Sequence, residues 1–451
     1  MPQTTLILGG GRSALGAAKL LKKTGQDVRV SDIKEAYPEQ AEALRSLGID
    51  LLIGPQTPQL LEGVKQLIVS PGLSPEIPIL QAARQRRIPI RSEIDLALDH
   101  FRGQVIGVTG TNGKSTTTTL IAHILQKLGH KALASGNIGV PPSLLIADGQ
   151  APDVFVLELS SYQLDYSKPI ANTASLFISF SEDHMERHRT MERYFAAKWK
   201  LITATRAEGL CIMPQTIVRI AQTYKVQKPK AQLVQIISDD ERPLRFADGP
   251  IVHINTERGV VGGDGIAGLR ELPPDLSFHN QLNVTAALLA VQIVKKTPWQ
   301  ACAHTLPSYS WLAYRFERIG SVRGRPVWND SKSTNVESTL VALKSIKEPA
   351  ILLLGGYPKG EAFHPIAAFK DKICRLIAFG AAGARIAQDL AALHPIVYPT
   401  LREALEALPQ TMREESASIV FSPACSSFDE FQNFEERGAF FNLKLGPYLD
   451  R

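Results

Sequence analysis

The sequence predicts an α/β protein of three domains: a Rossmann-like N-terminal domain, a central P-loop ATPase-like parallel sheet and a C-terminal Rossmann-like domain. Three observations carry that expectation. The chain has 451 residues, too many for one ordinary core, and ~3 domains is the usual number at that length. Short apolar strands alternate with helical patterns throughout. Three blocks, 1–93, 94–310 and 311–451, each carry apolar strands that run into glycines.

In the first block, TTLILGG is a short buried strand, SALGAAKLLKKTG is a helical pattern ending on Gly25, and QDVRVSD is a second strand closing on Asp32. That is the βαβ layout of a dinucleotide-type fold. LIVSPG (67–72) and IPIRSE (88–93) read as later strands of the same sheet. The second block opens with QVIGVTG and continues through DVFVLELS and ASLFISF to the apolar helix His279–Val294. In the third, ILLLGG, RLIAFG and SIVFSPA alternate with the helical ARIAQDLAAL and REALEALP, which predicts another parallel sheet.

Composition narrows the function classes. The net charge is +6, but Lys and Arg are spread along the chain without a basic run interleaved with aromatics. That excludes a nucleic-acid surface and suits anionic small substrates. The four cysteines are far apart and form no C-x-x-C pair, which excludes a zinc knuckle and fits a reducing, cytoplasmic setting. The opening MPQTTLILGGG lacks the layout of a secretory signal, and no apolar run approaches the ~20 residues that span a bilayer. No membrane association is expected.

Two glycine stretches bear on chemistry. GGGRSA, Gly9 to Ala14, fits G-x-G-x-x-A loosely, with Asp32 about twenty residues on. Taken alone it leaves NAD, a UDP-type ligand and a plain structural turn open. VTGTNGKST is stronger. A phosphate loop of the G-x-x-x-x-G-K-[ST] kind would place glycine where Val108 stands, yet strand, loop and helix are all in place. Gly110 and Gly113 permit inward-pointing amides, Lys114 can neutralise phosphate oxygens, and Ser115 or Thr116 can offer a hydroxyl to Mg²⁺. Glu158 ends the strand DVFVLE, where an acid would reach such a metal. SFSEDHMERH carries His184 and His188 at i, i+4 but meets neither zinc-hydrolase spacing, H-E-x-x-H or H-x-x-E-H. His184 is expected to contact metal or substrate, and His188 to be an ordinary histidine. Cys425 has no base beside it in sequence and reads as a small packed residue.

The segments TGTNGKST (109–116), ELSSYQL (158–164), DH (183–184), FAAK (195–198), HNxxN (279–283), RFE (315–317), NDSKSTN (329–335) and SPACSSFDEF (422–431) together resemble the Mur ligases. The last two favour the D-glutamate-adding members, and the D-N-P-R signature of the diaminopimelate-adding relatives does not occur. The resemblance runs over nearly the whole chain and implies an ATP-dependent amide-forming enzyme of cell-wall precursor synthesis, monomeric. Its substrates would be UDP-N-acetylmuramoyl-L-alanine and D-glutamate, its cofactors ATP and two Mg²⁺ ions. It also implies roles for residues. Gly110, Thr111, Asn112, Gly113, Lys114 and Ser115 would hold the ATP phosphates. Thr116, with Ser115 and Glu158, would lie at one magnesium, and His184 with Lys198, as a carbamate, at the second. A bare ammonium repels Mg²⁺, whereas a carbamate supplies an anionic oxygen.

Asn280, Asn283, Arg315 and Asp330 match further ATP contacts, with the last two expected to arrive by domain closure. Lys332, Thr334, Lys359, Ser427 and Phe434 match positions that hold D-glutamate, although Tyr357-Pro358 departs from the pattern. Ser13, Asp32, Lys34, Ser70, Pro71, Gly72, Asn137 and Gln163 match the UDP-substrate side. Here Ile33, Lys34 and Ala14 depart from the pattern, and lysine cannot fork as arginine does. Two other readings stay open. Folylpolyglutamate synthases share the T-G-T-N-G-K opening, though a pterin substrate gives no use for the glycine-rich first domain. A nucleotide-binding module without turnover gives no reason for the spacing of Glu158, His184 and Lys198.

Overall fold

The computed structural model describes residues 4–34, 38–49, 51–239, 241–244, 246–255, 257–264, 266–273, 276–414 and 417–450. They form two compact units, Met1–Phe180 with Met185–Tyr309, and Ser181–His184 with Ser310–Arg451.

The first unit holds two sheets. One comprises β1 (Thr4–Leu8), β2 (Val28–Asp32), β3 (Leu51–Ile53), β4 (Val64–Val69) and β5 (Ile90–Arg91), in the order β3-β2-β1-β4-β5 and parallel throughout. The helix Arg12–Lys23 crosses from β1 to β2 and buries Ala14, Ala17, Ala18, Leu20 and Leu21 on the sheet. The stretch IPIRSE is strand only at Ile90–Arg91. Ser92 instead starts the helix Glu93–Asp99, because its hydroxyl accepts from Asp95 N while the Asp95 carboxylate accepts from Ser92 N.

The second sheet comprises β6 (Gln104–Thr109), β7 (Ala132–Gly136), β8 (Val154–Glu158), β9 (Ala174–Phe177), β10 (Leu210–Pro214), β11 (Gln232–Ser238), β12 (Ile251–Asn255), β13 (Val260–Gly263) and β14 (Ile266–Glu271). Its order is β14-β13-β12-β11-β10-β9-β6-β8-β7. The strands from β12 to β7 pair in parallel, while β13 and β14 add an antiparallel edge. Ile106, Val108, Val156, Leu176 and Ile212 pack against Leu120, Ile121 and Ile124 of the helix Lys114–Lys127 and against Val284, Leu288 and Val291 of the helix Phe278–Lys295. Side chains buried this fully contribute about 1.5–3 kcal/mol each. Helices on the sheet explain why its strands read as unbroken apolar runs.

The helix Pro142–Ala147 joins the two sheets of this unit. At its N-terminus Ser143 N donates to Glu93 Oε1 at 2.7 Å, and at its C-terminus Ala147 O accepts from Lys23 Nζ at 3.0 Å, so each end has an otherwise open backbone group satisfied by a side chain.

The second unit holds β15 (Glu317–Val322), β16 (Arg325–Asn329), β17 (Ala350–Gly355), β18 (Ile373–Phe379), β19 (Ile396–Tyr398) and β20 (Ser418–Ala424), in the order β15-β16-β20-β17-β18-β19. All pairs are parallel except the hairpin β15–β16 at one edge. No helix among the described residues is long and apolar enough to cross a membrane.

Candidate functional site

The loop Gly110–Gly113 leaves β6 and opens the helix Lys114–Lys127, whose N-cap is Gly113 in the left-handed region at φ 82°. Glycine is needed there twice over. A Cβ would be strained at that φ and would lie 2.5 Å from Asn283 Oδ1. That proximity brings the HNxxN motif to the loop: Thr117 Oγ1 donates to Asn283 Oδ1 at 3.2 Å, and Asn283 Nδ2 to Asn280 Oδ1 at 3.4 Å. Ser179, just past β9, holds the loop from beneath. Its carbonyl accepts from Thr111 N at 2.9 Å, its hydroxyl accepts from Asn112 N at 2.8 Å, and the same hydroxyl lies 2.8 Å from Asn112 O. No side chain caps the helix, so the loop combines a helix N-terminus with a lysine, an arrangement that binds phosphate. Lys114 Nζ donates to Gly110 O and Thr111 O at 2.9 and 2.7 Å. Ser115 and Thr116 sit buried in the first turn.

Glu158 ends β8 in register with Val108 of β6. It is buried; Oε1 accepts from Asn137 Nδ2 at 2.8 Å, and Oε2 has no hydrogen-bond partner among the described residues. An orphaned buried carboxylate oxygen is costly unless a cation meets it. Lys198, on the helix Met191–Thr203, is buried, donates to Gly110 O at 2.7 Å and lies 4.6 Å above the Tyr194 ring. The phosphate loop, Asn280, Asn283, Asn137, Glu158 and Lys198 are therefore assembled in one unit. His188 packs as expected of an ordinary histidine, buried with Nε2 2.9 Å from Ser161 Oγ.

At the C-terminal edge of the first sheet, Gly10 N donates to Asp32 Oδ2 at 2.5 Å, and Lys34 N to Asp32 Oδ1 at 3.2 Å. Gly9, at φ 105°, lies where a Cβ would be 2.1 Å from Ser70 Oγ. Ser13, Pro71 and Gln163 line one pocket with Val69, Ser92, Glu93, Ile94 and Tyr166. Gln163 is buried, and its Oε1 accepts from Ser160 N at 3.0 Å. Gly72 and Lys34 are exposed. Burial raises the Glu93 carboxyl to about 7, against the lowering effect of its bonds from Ser143.

In the second unit, Arg315 stands between Tyr314 (φ 61°) and Phe316 (φ 53°), a left-handed pair of aromatic residues that stores strain at this turn. Asp330 fixes the turn: it is buried, Oδ1 accepts from Phe316 N at 2.9 Å, and Oδ2 from Ser333 Oγ at 2.5 Å and Ser422 Oγ at 2.9 Å. Burial outweighs these bonds and the nearby Arg315, raising its carboxyl to about 6. Lys332 Nζ lies 4.1 Å over the Phe434 ring, with Thr334 half-buried two residues on. Ser427 is buried at the turn after β20. Lys359 Nζ donates to Asp183 Oδ1 at 3.1 Å, and His184, at φ 60°, donates its amide to the same oxygen at 2.9 Å. Cys425 is buried with its thiol pushed up to about 12 by burial, as befits a packing residue.

Among the described residues no three His, Cys, Asp or Glu side chains gather as metal ligands. A cation here would rely on hydroxyl, lysine-derived and phosphate oxygens as well as on Glu158.

Known proteins show the family. Residues 108–291 match the Mur ligase middle domain, and residues 3–92 the Mur ligase MurD-like N-terminal domain. A UDP-N-acetylmuramoylalanine–D-glutamate ligase of Desulfitobacterium hafniense is 33% identical over 97% of this chain and 96% of its own. One from a Synechococcus species is 33% identical over 99% of each. The chain belongs to the Mur ligase family. Solved structures of that family share the fold: the UDP-N-acetylmuramate-alanine ligase MurC of Thermotoga maritima (TM-score 0.59, 18% identity, 99% of both chains) and the MurF ligase of the same organism in complex with ADP (0.59, 14%, 93% of this chain and 95% of that one).

Three residues of this Mur ligase escaped the sequence. Ser179 grips the loop from a strand end that reads only as apolar. Glu93 lines the pocket from a helix that reads as strand. Arg437 is 1% exposed and stitches two loops to its own helix, Phe434–Leu445. Its Nε and Nη2 donate to Ser331 Oγ and O at 3.1 and 2.7 Å, its Nη1 to Cys425 O and Ser426 O at 3.0 and 3.1 Å, and Ser331 Oγ donates on to Phe434 O at 2.8 Å. Lys332, Ser427 and Phe434 all flank these anchors. An arginine in FEERGAFF carries no sign of burial; only the glycine beside it hints at close packing.

Proposed function

We infer that this Mur ligase adds D-glutamate to UDP-N-acetylmuramoyl-L-alanine at the expense of ATP, through an acyl phosphate, in peptidoglycan precursor synthesis. The observation that carries the reading is near-full-length likeness to ligases named for that reaction, joined to a phosphate loop with an orphaned carboxylate oxygen in the same unit. It does not favour a folylpolyglutamate synthase-like ligase or a module without turnover.

The alanyl carboxylate of the first substrate takes up the γ-phosphoryl group of ATP. The amine of D-glutamate then attacks the acyl carbon, and phosphate leaves as the amide forms. Little covalent help is needed from the protein; positioning and charge neutralisation are. Gly110, Thr111, Asn112, Gly113 and Ser115 would cradle the phosphates with backbone amides, and Lys114 would turn from its loop carbonyls onto phosphate oxygens. Asn280 and Asn283, with Arg315 and Asp330 of the second unit, are the proposed further ATP residues, Asp330 by shaping the turn that presents Arg315. Ser115, Thr116 and Glu158 fit one Mg²⁺, and His184 and Lys198 as a carbamate are the further proposed ligands, for two ions in all. Mg²⁺ would draw charge from the phosphate and acyl oxygens. Asn137 orients Glu158 by its 2.8 Å bond.

On the substrate side, Ser13, Asp32, Lys34, Ser70, Pro71, Gly72 and Gln163 are proposed to hold the UDP-sugar peptide. Lys332, Thr334, Lys359, Ser427 and Phe434 are proposed to hold D-glutamate, two cations and hydroxyls suiting a dicarboxylate. The proposed domains are 1–93, 94–310 and 311–451, in a cytoplasmic monomer. Phosphate release by the purified protein with ATP, Mg²⁺, UDP-N-acetylmuramoyl-L-alanine and a panel of amino acids tests the reading. Release should require D-glutamate; equal release with L-glutamate, or none with D-glutamate, overturns it.

A further inference from the structure

Lys359 is surrounded by the chain's own acids. Asp183, which accepts from its Nζ, is 7% exposed, and the other Asp183 oxygen lies 3.5 Å from Asn335 Nδ2. Asn335 in turn caps the helix Val336–Ser345, accepting from Ser338 N at 2.9 Å. Glu361, two residues beyond Lys359, binds the same helix start: its Oε2 accepts from Val336 N at 2.8 Å. Its Oε1 is buried and has no hydrogen-bond partner among the described residues. The lysine therefore has one carboxylate in contact and a second within electrostatic reach whose hydrogen-bonding capacity is half unused.

We propose that Glu361 is a positioning residue for the incoming amino acid: when ionised it helps hold Lys359 within this acidic cluster, and when neutral it yields the lysine to the substrate's carboxylate. The proposal rests on the reading that Lys359 grips D-glutamate. A single ammonium must divide its charge between the chain's acids and the substrate's, so removing one internal competitor strengthens the external contact.

The charge of Glu361 changes in a useful range. Burial raises its carboxyl to about 7, Asp183 and Glu182 push the same way, and Lys359 and the Val336 amide oppose. On the Asp183 side the His184 ring faces the cluster, with Nε2 3.6 Å from Asp183 Oδ2; Arg385 is held on Gly360 O at 3.1 Å with Asp389 Oδ2 3.9 Å from its Nε, and the Cys425 thiol is neutral throughout this range. A bound dianion beside Glu361 favours its neutral form, and by linkage the neutral form favours the dianion. Binding is thus tightest below the carboxyl's pKa and weakens as pH rises through it, about tenfold for each unit by which the ligand raises that pKa.

Glutarate tests this, since it carries both carboxylates of the substrate but no amine to titrate. Its inhibition constant against D-glutamate is measured in the phosphate-release assay from about pH 6 to 8.5, a range that brackets the carboxyl's titration. The wild-type constant is expected to rise about tenfold across that range. For E361Q and for E361A, two variants so that one misfolded protein does not decide the matter, it should stay flat near the wild-type low-pH value. For K359A it should be weak at every pH. A flat wild-type profile overturns the proposal, as does a rise that persists equally in both Glu361 variants. Undiminished glutarate inhibition of K359A, or no turnover with D-glutamate, removes the reading beneath it and the proposal with it.

Discussion

Replacing Arg437 by methionine should separate what a buried guanidinium does for stability from what it does for the amino-acid site. Four hydrogen bonds leave its head group, three of them to backbone carbonyls that are otherwise hard to reach with water. At about 1.5–3 kcal/mol for a bond to a charged group, the four contribute roughly 6–12 kcal/mol. Against this stands the several kcal/mol that desolvating a charge costs, visible in a guanidinium whose pKa burial has lowered to about 10. The difference is a net loss of about 3–5 kcal/mol for R437M, as for other buried charges whose removal leaves partners stranded. Methionine fills much of the volume, so cavity formation adds little.

A loss of that size lowers the melting temperature by roughly 10 °C for a unit of this length. It should appear in the transition of the second unit when the wild type and R437M are compared by calorimetry. The functional effect should be selective: Lys332, Ser427 and Phe434 lose their common anchor, so KM for D-glutamate should rise about tenfold or more while KM for ATP changes little. R437K, which keeps the charge but cannot fork onto Ser331 and the Cys425 and Ser426 carbonyls together, should fall between. A melting temperature within 1–2 °C of wild type, with unchanged KM for D-glutamate, would refute the reasoning, because a loss of about 3 kcal/mol cannot be so small a shift.

Three other perturbations are expected to have distinct signatures. G113A forces a Cβ against Asn283 at a left-handed φ; it should cost about 1–3 kcal/mol and raise KM for ATP, and normal ATP binding by a folded G113A would contradict the cradle. E158Q leaves the bond from Asn137 an acceptor but removes the anionic oxygen, so kcat should fall about a hundredfold or more and half-saturation by Mg²⁺ should move upward; an unchanged Mg²⁺ dependence would count against Glu158 as a ligand. Glu93, raised from 4.5 to about 7, binds protons more tightly folded than unfolded, so its contribution is most favourable below about pH 4.5 and is lost as pH rises through 7, up to about 3 kcal/mol. E93Q should therefore flatten the stability of the first unit over that window in pH-dependent denaturant melts; a wild-type curve that is flat or rises there would exclude the effect.

Much of this was legible because local chemistry writes itself into local sequence. The phosphate loop, the strand carrying Glu158 and the HNxxN helix each announce themselves by glycine, apolar runs or spacing. What could not be read depends on pairs distant along the chain. Asp183 and Lys359 meet across 176 positions, and Ser179 reaches the loop 67 positions back. The antiparallel edge β13–β14 is not legible because VVGGDG shows no alternation, and IPIRSE reads as strand to its end because a capping serine and its acidic partner look like more strand until the reciprocal bonds are seen. Arg437 is invisible for a different reason: a charged residue on a helix is ordinarily solvated, and only two distant loops converging on it make burial possible.

The residues that hold others in place share a feature that sharpens the candidate site. Ser179, Asn137, Asp330 and Arg437 spend their hydrogen bonds within the protein, each fixing a loop that carries a residue proposed to touch substrate. Once those internal bonds are taken away, Glu158 Oε2 remains buried and unsatisfied among the described residues, and the glycine-capped first turn of the helix Lys114–Lys127 remains without a side-chain cap. A buried carboxylate oxygen and an uncapped helix N-terminus are each polar groups that the described residues leave to be satisfied from outside. The cation and phosphate chain of the proposed reaction would satisfy the two together, each meeting the group of opposite charge. Positioning residues satisfied from within and reacting groups satisfied only by ligand are what a reaction driven by charge neutralisation requires, because the site then needs no reorganisation as the acyl phosphate forms.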